Sequence, residues 1–367
     1  MLIVFRADAS LQIGSGHVVR CLTLAKALKA RGATCHFVCR AHVGHLIDYI
    51  RQKGIIVHPL PANQSILGMA ASDTVEQPVH ATWLGATQKH DAYETAKILG
   101  TLRPDWLIVD HYALDDQWEQ ALRPYCDKIM VIDDLADRPH DCDLLLDQNL
   151  GRTDKNYVTL VPDHCARLTG PRYSLLRPEF TSLREYSLSR RKQPQLKSLL
   201  ITMGGVDQPN ATSRVLQALK GSELPLDVTI IVVMGAQAPW LQYVQQLAVT
   251  MPWRTEVRVN VSDMAQLMAT ADLAIGAAGT TSWERCCLGL PTLLVVLAKN
   301  QWAGALALQS AGAVRLLGEP NSIQEQLAPA ILSFLNEMTL AQISISAQSV
   351  TDGQGVTHVI QRMESEL

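Results

Sequence analysis

Short apolar segments of strand length alternate with longer segments of helical pattern along most of the chain. This alternation is typical of parallel β-sheets that are covered by helices on both faces. In the first part of the chain it predicts strands at residues 2–6, 34–38, 55–58, 106–110, 128–133 and 144–146. It also predicts helices at residues 17–30 and 43–53, each ended by a glycine, and a further helix that begins near Asp115.

The alternation starts again in the second part of the chain. It predicts strands at residues 198–203, 227–234, 255–259, 273–275, 292–297 and 314–317. Helices are predicted to begin near Pro209, Pro239, Ser262, Thr281 and Gln301, and the sequence from residue 322 onward has a helical pattern. Two successive parallel sheets predict an α/β protein with two Rossmann-like domains.

An irregular stretch at residues 169–195, with three prolines and a charged run, separates the two patterns. We therefore expect one domain at residues 1–175, a second at 176–350, and a C-terminal helix at 351–367 that packs back on the first. Because open α/β sheets bind ligands beyond the carboxyl ends of their strands, we expect the ligand in the cleft between the domains. Residues 61–90 are polar and weakly periodic, which predicts a long loop or a lid.

Composition narrows the classes of function. Hydrophobic residues make up 47% of the 367 residues, enough for sizeable cores, which excludes intrinsic disorder as the main state. The formal net charge of −3 argues against a nucleic-acid-binding protein. Charged residues make up only 18%, which fits a chain rich in buried strands.

Targeting and redox signals predict a reduced, cytoplasmic protein. No apolar stretch approaches the ~18 residues of a membrane helix, and Arg6 and Asp8 interrupt the apolar start of the chain before it could form a signal peptide. The eight cysteines form no CxxC pair, so we interpret most of them as small buried hydrophobic residues. The eleven histidines show no spacing that is typical of zinc sites.

A glycine-containing loop follows the first strand and opens the first helix. It runs from Arg6 to His17 and includes Asp8, Gly14 and Gly16. Glycines let the backbone approach a ligand closely, and the free N–H groups at a helix start favour anions. The dinucleotide fingerprint is absent, because no third glycine follows at its spacing. The alternative interpretation is an ordinary glycine turn before a helix.

His17 is the main candidate for catalysis in this loop. A helix start disfavours the imidazolium, so we expect the ring to stay neutral near pH 7. A neutral imidazole beside a ligand can accept a proton from water, which is the role of a general base. The alternative is a polar residue of the first helical turn that only bonds the loop.

Two loops of similar design follow strands in the second half. Gly204 and Gly205 lie in one of them, ahead of a helix that Pro209 begins and that Asp207 or Gln208 caps. The small residues of the other loop, 276–279, leave room for a diphosphate. Its possible ligand contacts are Thr280, Thr281, Ser282 and Glu284. The acid could accept hydrogen bonds from ribose hydroxyls or be an ordinary first-turn residue.

Two further clusters carry weaker signals. Asp133 and Asp134 resemble the metal-binding acid pair of some sugar transferases, but they end a strand and could simply start a turn. Residues 110–112 also leave a strand at its carboxyl end, where they could line a ligand, although His111 could equally be a structural histidine. We expect no metal site.

The order of these motifs resembles one protein family. The matching segments are residues 6–22, which contain the Gly-x-Gly-His motif, 108–112, 131–135, 145–149, 170–180, 203–207, 276–284 and 300–301, with Asp352, Gly353 and Gly355 further on. Together they cover nearly the whole chain. They resemble the UDP-2,4-diacetamido-2,4,6-trideoxy-β-L-altropyranose hydrolases of pseudaminic acid biosynthesis, a route linked to flagellin glycosylation.

The resemblance implies a GT-B fold, related to the transferase that makes lipid II, with water as the acceptor. It implies inverting, metal-independent cleavage of the sugar C1–O bond without a cofactor, and release of UDP. His17 matches the histidine that positions or deprotonates the water. The positions implied near the sugar are Asp8, Gly14, Gly16, Arg20, Tyr112, Asn300 and Gln301. Those implied around UDP are Gly204, Gly205, Asp207, Met264, Gly279, Thr280, Thr281, Ser282 and Glu284.

The chain departs from the family at Ala278, where relatives often carry glycine, and at residues 61–90, which are longer than in the shortest members. Two other functions stay open. One is a sugar transferase with an alcohol acceptor, although the sequence shows no plain apolar or basic patch for a lipid-linked acceptor. The other is a non-catalytic nucleotide-sugar-binding protein. In each case the expected partner is a UDP-sugar rather than a nucleic acid or a membrane, and the oligomeric state stays open, with a monomer among the options.

Overall fold

The computed structural model describes residues 1–62 and 78–366. In chain order its strands are β1 (Leu2–Ala7), β2 (Thr34–Arg40), β3 (Ile56–Leu60), β4 (Trp106–Asp110), β5 (Lys128–Ile132), β6 (Leu144–Asp147), β7 (Ala166–Thr169), β8 (Ser198–Thr202), β9 (Thr229–Met234), β10 (Thr255–Val259), β11 (Leu273–Ala277), β12 (Thr292–Val295) and β13 (Arg315–Gly318). Its helices are α1 (Gly16–Ala30), α2 (Ile47–Gln52), α3 (Gln88–Leu102), α4 (Asp116–Leu122), α5 (Pro178–Arg190), α6 (Ala211–Leu219), α7 (Leu241–Val249), α8 (Met264–Thr270), α9 (Thr281–Cys287), α10 (Trp302–Ser310), α11 (Ile323–Phe334), α12 (Glu337–Gln348) and α13 (Gly355–Ser365).

The chain forms two compact units. Unit 1 comprises Met1–Leu175 together with Val356–Leu367, and unit 2 comprises Leu176–Gly355. Unit 1 contains a seven-stranded sheet in the order β3-β2-β1-β4-β5-β6-β7, and unit 2 a six-stranded sheet in the order β10-β9-β8-β11-β12-β13. In both sheets the first strand lies in the interior and the order reverses beside it, which is the arrangement of doubly wound Rossmann-like sheets.

Unit 1 buries both faces of its sheet. Ile3 and Phe5 of β1 belong to one apolar cluster, and Val4, which points to the opposite face, belongs to another. Phe5 stacks on Phe37 of β2 with ring centroids 4.8 Å apart. Because both faces are covered, β1 carries a continuous apolar sequence rather than an alternating one.

The C-terminal helix α13 completes one of these two clusters. Val359, Ile360 and Met363 are buried in the same cluster as Ile3 and Phe5. The chain therefore returns to unit 1 after it has formed all of unit 2.

Unit 2 has its main apolar cluster on one face of its sheet. Leu199 and Ile201 of β8 pack there with Val215 of α6 and Ile331 of α11. The moderate size of these aliphatic side chains suits close packing between a sheet and its covering helices.

The predicted strands are all present within two residues of their expected bounds. Strand β7 was not predicted. Only Leu168 is buried in this edge strand, and a short, partly exposed strand lacks the apolar run of the interior strands. Helix α5 lies where an irregular stretch was expected. Pro178 occupies the first turn of α5, where proline starts a helix rather than interrupting one.

Three other predicted segments differ from the structure. The helix expected at residues 43–53 covers only Ile47–Gln52. The helix expected to begin at Pro209 begins at Ala211, because Asn210 has a left-handed backbone conformation. The predicted loop at 61–90 contains the 3-10 helix Ala81–Leu84 and the start of α3, and its residues 63–77 lie outside the described part of the chain.

The cysteines match their interpretation as buried hydrophobic residues. All eight are free thiols, and all except Cys126 are buried. Among residues 1–62 and 78–366, no helix is both long enough and apolar enough to cross a membrane.

The strand order brings chemically active loops together within each unit. Ala7 of β1 pairs with Asp110 of β4, so the loops that follow these two strands leave the same edge of the sheet. In unit 2, β11 lies between β8 and β12, so the loops after these three strands also share an edge. These edges are where doubly wound sheets bind ligands.

Gly235 offers a test of the packing at this edge of unit 2. A Cβ at Gly235 would collide with the carbonyl oxygen of Gly205, whereas a Cβ at Gly205 itself would meet no described atom within 4 Å. We expect Gly235→Ala to lower the free energy of unfolding by about 1–3 kcal/mol, because the backbone must shift to admit the methyl group. Gly205→Ala is the matched control, and in urea unfolding without ligand it should match the wild type. Equal midpoints for all three proteins would contradict this packing.

Candidate active site

The loop between β1 and α1 is a compact turn. The Gly14 N–H donates to the Ser10 carbonyl at 2.9 Å, and Gly14 has a φ of +80°, which favours glycine. The Ser10 hydroxyl accepts hydrogen bonds from the backbone N–H groups of Gln12 and Ile13, two and three residues further along the chain. A Cβ at Gly14 or Gly16 would meet no described atom within 4 Å. The turn therefore leaves open space beside both glycines, as a ligand-binding loop requires.

His17, at the start of α1, is paired with a carboxylate. Its Nδ1 lies 2.5 Å from Asp110 Oδ1. Arg20, one turn further along α1, donates through Nε to Asp110 Oδ2 and through Nη2 to Asp110 Oδ1, both at 2.7 Å. All three side chains are buried. The sequence motif of α1 and the end of β4 thus form one charged cluster.

The charge on Asp110 determines which nitrogen of His17 is available. Burial alone would raise the pKa of Asp110, but the positive charges of Arg20 and His17 and their hydrogen bonds hold it well below its ordinary value. An anionic Asp110 accepts the hydrogen of Nδ1, so in the neutral ring Nε2 carries the lone pair. The described residues give Nε2 no hydrogen-bond partner.

The rings of Tyr112 and His17 pack in a T-shaped arrangement. The two rings are 4.6 Å apart at 82°. The Tyr112 hydroxyl donates to Asp134 Oδ2 at 2.7 Å, and Arg20 Nη1 donates to the same oxygen at 2.7 Å. Burial, followed by the charge of Asp134, raises the pKa of Tyr112 well above its ordinary value. The phenol is therefore a neutral side chain fixed beside His17. The structure thus brings His17, Arg20 and Tyr112 together.

Asp8 lies in a separate buried network. Its Oδ1 is 2.7 Å from Arg6 Nη1 and accepts the Arg40 N–H at 2.7 Å. Its Oδ2 faces the Nε2 atoms of His111 at 3.4 Å and His42 at 3.5 Å. Its assignment as a substrate contact stays a prediction, and in this structure its oxygens face groups of the protein. His111, for which two interpretations were open, is 3% exposed and faces Asp8.

The acidic pair at the end of β5 is also engaged by protein groups. Asp133 Oδ1 accepts from Arg138 Nη1 at 3.0 Å, and its Oδ2 accepts from the Tyr157 hydroxyl at 3.0 Å. Asp134 binds Arg20 and Tyr112. In the described part of the chain, no group of three or more His, Cys, Asp and Glu side chains is arranged to hold a metal ion.

Unit 2 presents an open glycine loop after β8. Gly204 has a φ of +84°, and a Cβ on Gly204 or Gly205 would meet no described atom within 4 Å. Asp207 does not share this exposure. Its buried carboxylate accepts hydrogen bonds from the N–H groups of Ala211 and Thr212, each at 2.9 Å. Of the two residues predicted to cap α6, Asp207 therefore does so. As a contact to UDP it stays a prediction.

The loop from β11 into α9 combines exposed and buried groups. Gly279 and Thr280 are exposed, Thr281 is half-buried and Ser282 is buried. Glu284 Oε1 lies 3.5 Å from Arg177 Nη2, and burial raises the pKa of Glu284 in spite of the charge of Arg177.

The remaining predicted residues lie at different places in unit 2. The Gln301 side chain accepts the Leu297 N–H at 2.9 Å and would lie 3.8 Å from a Cβ on Gly279, so it adjoins the loop before α9. Asn300 is exposed in the same 3-10 turn, and Met264 is half-buried at the start of α8.

Two charged groups of the site were not predicted from the sequence. Asp110 was expected only as a possible ligand contact, and Arg285 was not expected to contribute. Arg285 is buried in α9 and donates to Ala277, Thr281 and Ser282. Asp110 is the last residue of a buried strand that pairs with the strand before His17, and this position was the available signal. Arg285 carries no comparable signal, because an arginine in a helix is usually exposed.

Comparisons with known proteins agree with this architecture. The family described as glycosyltransferase family 28 C-terminal domain matches residues 198–362. The UDP-2,4-diacetamido-2,4,6-trideoxy-β-L-altropyranose hydrolase of Campylobacter jejuni is 27% identical over 85% of this chain and 97% of that protein. An uncharacterized protein of Methanocaldococcus jannaschii is 25% identical over 82% of this chain, and the chain spans 56% of that protein's length.

A solved structure identifies the fold. The crystal structure of MurG from Acinetobacter baumannii matches with a TM-score of 0.70 at 16% identity, over 99% of each chain. Together with the two parallel sheets, this confirms the predicted α/β fold of the GT-B type with two Rossmann-like domains.

Asp147, at the end of β6, should make the free energy of unfolding depend on pH. The partly exposed Arg152 lies 3.3 Å from its carboxylate. Burial, followed by the charge of Asp134, raises the pKa of Asp147 to about 7, and hydrogen bonds from the Asn149 N–H and the Tyr157 hydroxyl offset this only in part. The unfolded chain releases this proton near pH 4, so the contribution of Asp147 to stability falls as the pH rises from about 4 to 7. Asp147→Asn removes this dependence and keeps a partner for the Tyr157 hydroxyl.

The measurement compares urea unfolding of the wild type and Asp147→Asn at several pH values between 4.5 and 8. The variant should gain stability relative to the wild type as the pH rises. A difference between the two proteins that is constant with pH would mean that Arg152 keeps Asp147 ionised throughout.

Proposed function

We propose that this protein is an enzyme acting on a UDP-sugar, and that it hydrolyses a UDP-linked 2,4-diacetamido-2,4,6-trideoxy sugar at the C1–O bond. The observation that carries the proposal is the His17–Asp110–Arg20 cluster beside an open glycine turn. The name of the C. jejuni relative and the family match of unit 2 support the choice of substrate. The free sugar would enter pseudaminic acid biosynthesis in the cytoplasm.

In the proposed reaction His17 acts as the base for one water molecule. Nε2 accepts a proton from the water as its oxygen attacks C1, and Asp110 stabilises the imidazolium that forms. A single displacement of this kind inverts the configuration at C1. The leaving diphosphate is already a stable anion, so hydrogen-bond donors can take the place of a strong acid.

The two units have separate tasks in this proposal. The glycine turn of unit 1, with Arg20 and Tyr112 close by, serves the sugar. The loops of unit 2 that contain Gly204, Gly205 and residues 279–284 bind UDP through backbone N–H groups and hydroxyls. Neither task requires a metal ion or a cofactor.

One feature favours a transferase as the second candidate. Leu11 and Val43 are 56% and 76% exposed, and the Leu11 N–H donates to the Val43 carbonyl at 3.1 Å, so two exposed apolar side chains adjoin the turn before His17. Such a pair could contact a lipid-linked acceptor alcohol, which the sequence alone did not indicate. The family matched by unit 2 is named for glycosyltransferases.

An isotope experiment tests the hydrolysis. The purified protein is incubated with the UDP-sugar in ¹⁸O-water, and the products are followed by NMR and mass spectrometry. We expect the label at C1 of the free sugar and none in UDP, with the inverted anomer formed first. Label in the UDP phosphate would rule out C1–O cleavage, and a product formed only after an alcohol acceptor is added would identify a transferase.

Variants of the charged cluster test the mechanism. We expect His17→Asn to lower kcat by about 10²–10⁴-fold, the usual contribution of a general base, with little change in UDP affinity. Asp110→Asn should also lower kcat, because the imidazole loses the carboxylate that orients its Nδ1 and balances the charge formed in the transition state.

Asp134→Asn is the matched control for Asp110, because Asp134 contacts Arg20 and Tyr112 but not His17. It should lower kcat much less than Asp110→Asn does. If the Asp110 and Asp134 variants lower kcat equally, Asp110 does not act through His17. Near-normal turnover of His17→Asn would remove His17 as the base.

A further inference from the structure

Arg285 of α9 is a buried cation without an ion-pair partner among the described residues, and the charge of the neighbouring Glu284 offsets the effect of its burial only in part. Its side chain is 1% exposed. Its Nη2 donates to the Ala277 carbonyl at 2.8 Å and to Ser282 Oγ at 3.0 Å, and its Nη1 donates to Thr281 Oγ1 at 3.2 Å. Its Nε is buried without a partner. Within residues 1–62 and 78–366, no carboxylate forms an ion pair with this guanidinium.

The backbone next to Arg285 leaves space for its buried guanidinium, although burial of this charge is unfavourable. Burying a cation without a counter-ion is unfavourable, and burial lowers the pKa of Arg285 to about 10. Gly276 leaves the space for the guanidinium, since a Cβ there would lie 2.5 Å from Nη1. A buried guanidinium without an ion-pair partner is expected where a bound anion balances its charge.

Arg191 shows what a purely structural buried arginine looks like in the same unit. Burial lowers its pKa to about 9, and it too binds only neutral groups. Its three nitrogens donate to the carbonyls of Leu288, Ala271 and Met268, at the ends of α9 and α8, where helix dipoles favour a cation. Arg285 instead binds residues at the start of α9, where the dipole disfavours a cation. The helix therefore explains Arg191 but not Arg285.

The hydrogen bonds of Arg285 also set the direction of two hydroxyl groups. Ser282 Oγ accepts from Arg285 and from the Gly279 N–H at 3.4 Å, so its own hydrogen remains available to donate. Thr281 Oγ1 accepts from Arg285 in the same way. In the described structure neither hydroxyl hydrogen has an acceptor. Two free donors in contact with a buried positive charge suit an anion with several oxygens.

We propose that Arg285 is a positioning residue for the diphosphate of the substrate. It holds Thr281 and Ser282 as hydrogen-bond donors to the phosphate oxygens, and its charge is balanced by the bound diphosphate. It does not itself contact the ligand. This inference rests on the proposed function, because it takes the loop before α9 as the diphosphate site.

Calorimetric titration with UDP, inorganic diphosphate and uridine tests this role. Arg285→Met should weaken the binding of UDP and of diphosphate by about 10- to 100-fold, the range expected for hydrogen bonds that involve a charged group. Binding of uridine should not change. Arg191→Met is the matched control, and it should lower the melting temperature while leaving UDP affinity within about threefold of the wild type at temperatures where it is folded.

A double-mutant cycle separates positioning from general destabilisation. If Arg285 acts through the hydroxyl of Ser282, the losses of UDP affinity in Ser282→Ala and Arg285→Met should not add. Arg285→Lys, which keeps the charge, should recover part of the affinity. Additive losses, or equal UDP affinity in Arg285→Met and wild type, would overturn the inference.

The same titrations distinguish this inference from the proposed function. Wild-type protein that binds diphosphate but not UDP, with binding weakened by Arg285→Met, would support the role of Arg285 and contradict UDP as the nucleotide. Wild-type protein that binds UDP, with no effect of Arg285→Met, would leave the proposed function in place and overturn the inference. Binding of neither ligand would overturn both.

Discussion

The carboxylate of Asp110 is buried at the end of an interior strand, and much of unit 1 near His17 follows from that position. A buried carboxylate is tolerated only when cations and hydrogen-bond donors surround it. His17 and Arg20 surround Asp110 in this way, because they lie about one turn apart on the same face of α1. The same ion pairs fix the start of α1 against the end of β4. The cluster thus stabilises the fold and selects the tautomer of the imidazole at the same time.

Local patterns were sufficient to predict the fold, because interior parallel strands are continuous apolar runs and their helices are bounded by glycines and caps. The same reasoning failed at β7 and α5, where an edge strand lacks such a run and a proline begins a helix. In the candidate site, the motif around His17 was visible in the sequence. Its partner Asp110 was harder to assign, because the contact joins residues 93 positions apart and depends on the register of β1 and β4.

Some of the charged residues of this chain lie inside the protein rather than on its surface. Several charged residues are not displayed on loops but are fully buried as compensated networks, such as Arg6, Asp8, Arg40 and Asp91 of unit 1. Unit 2 differs, because its buried Arg191 and Arg285 bind neutral groups. Networks in which opposite charges pair within the protein favour a rigid scaffold. A buried charge without such a pair is where a bound ion changes the electrostatic balance most.

The return of the chain to unit 1 at Val356 constrains the order of folding during synthesis. Unit 2 is encoded without interruption, so it can fold as soon as its last residue leaves the ribosome. Unit 1 is made first, but its apolar cluster lacks Val359, Ile360 and Met363 until the end of translation. An exposed sheet face therefore has to persist while about 180 further residues are made, roughly 10–40 s at common synthesis rates. The first half of this protein is the last to be completed.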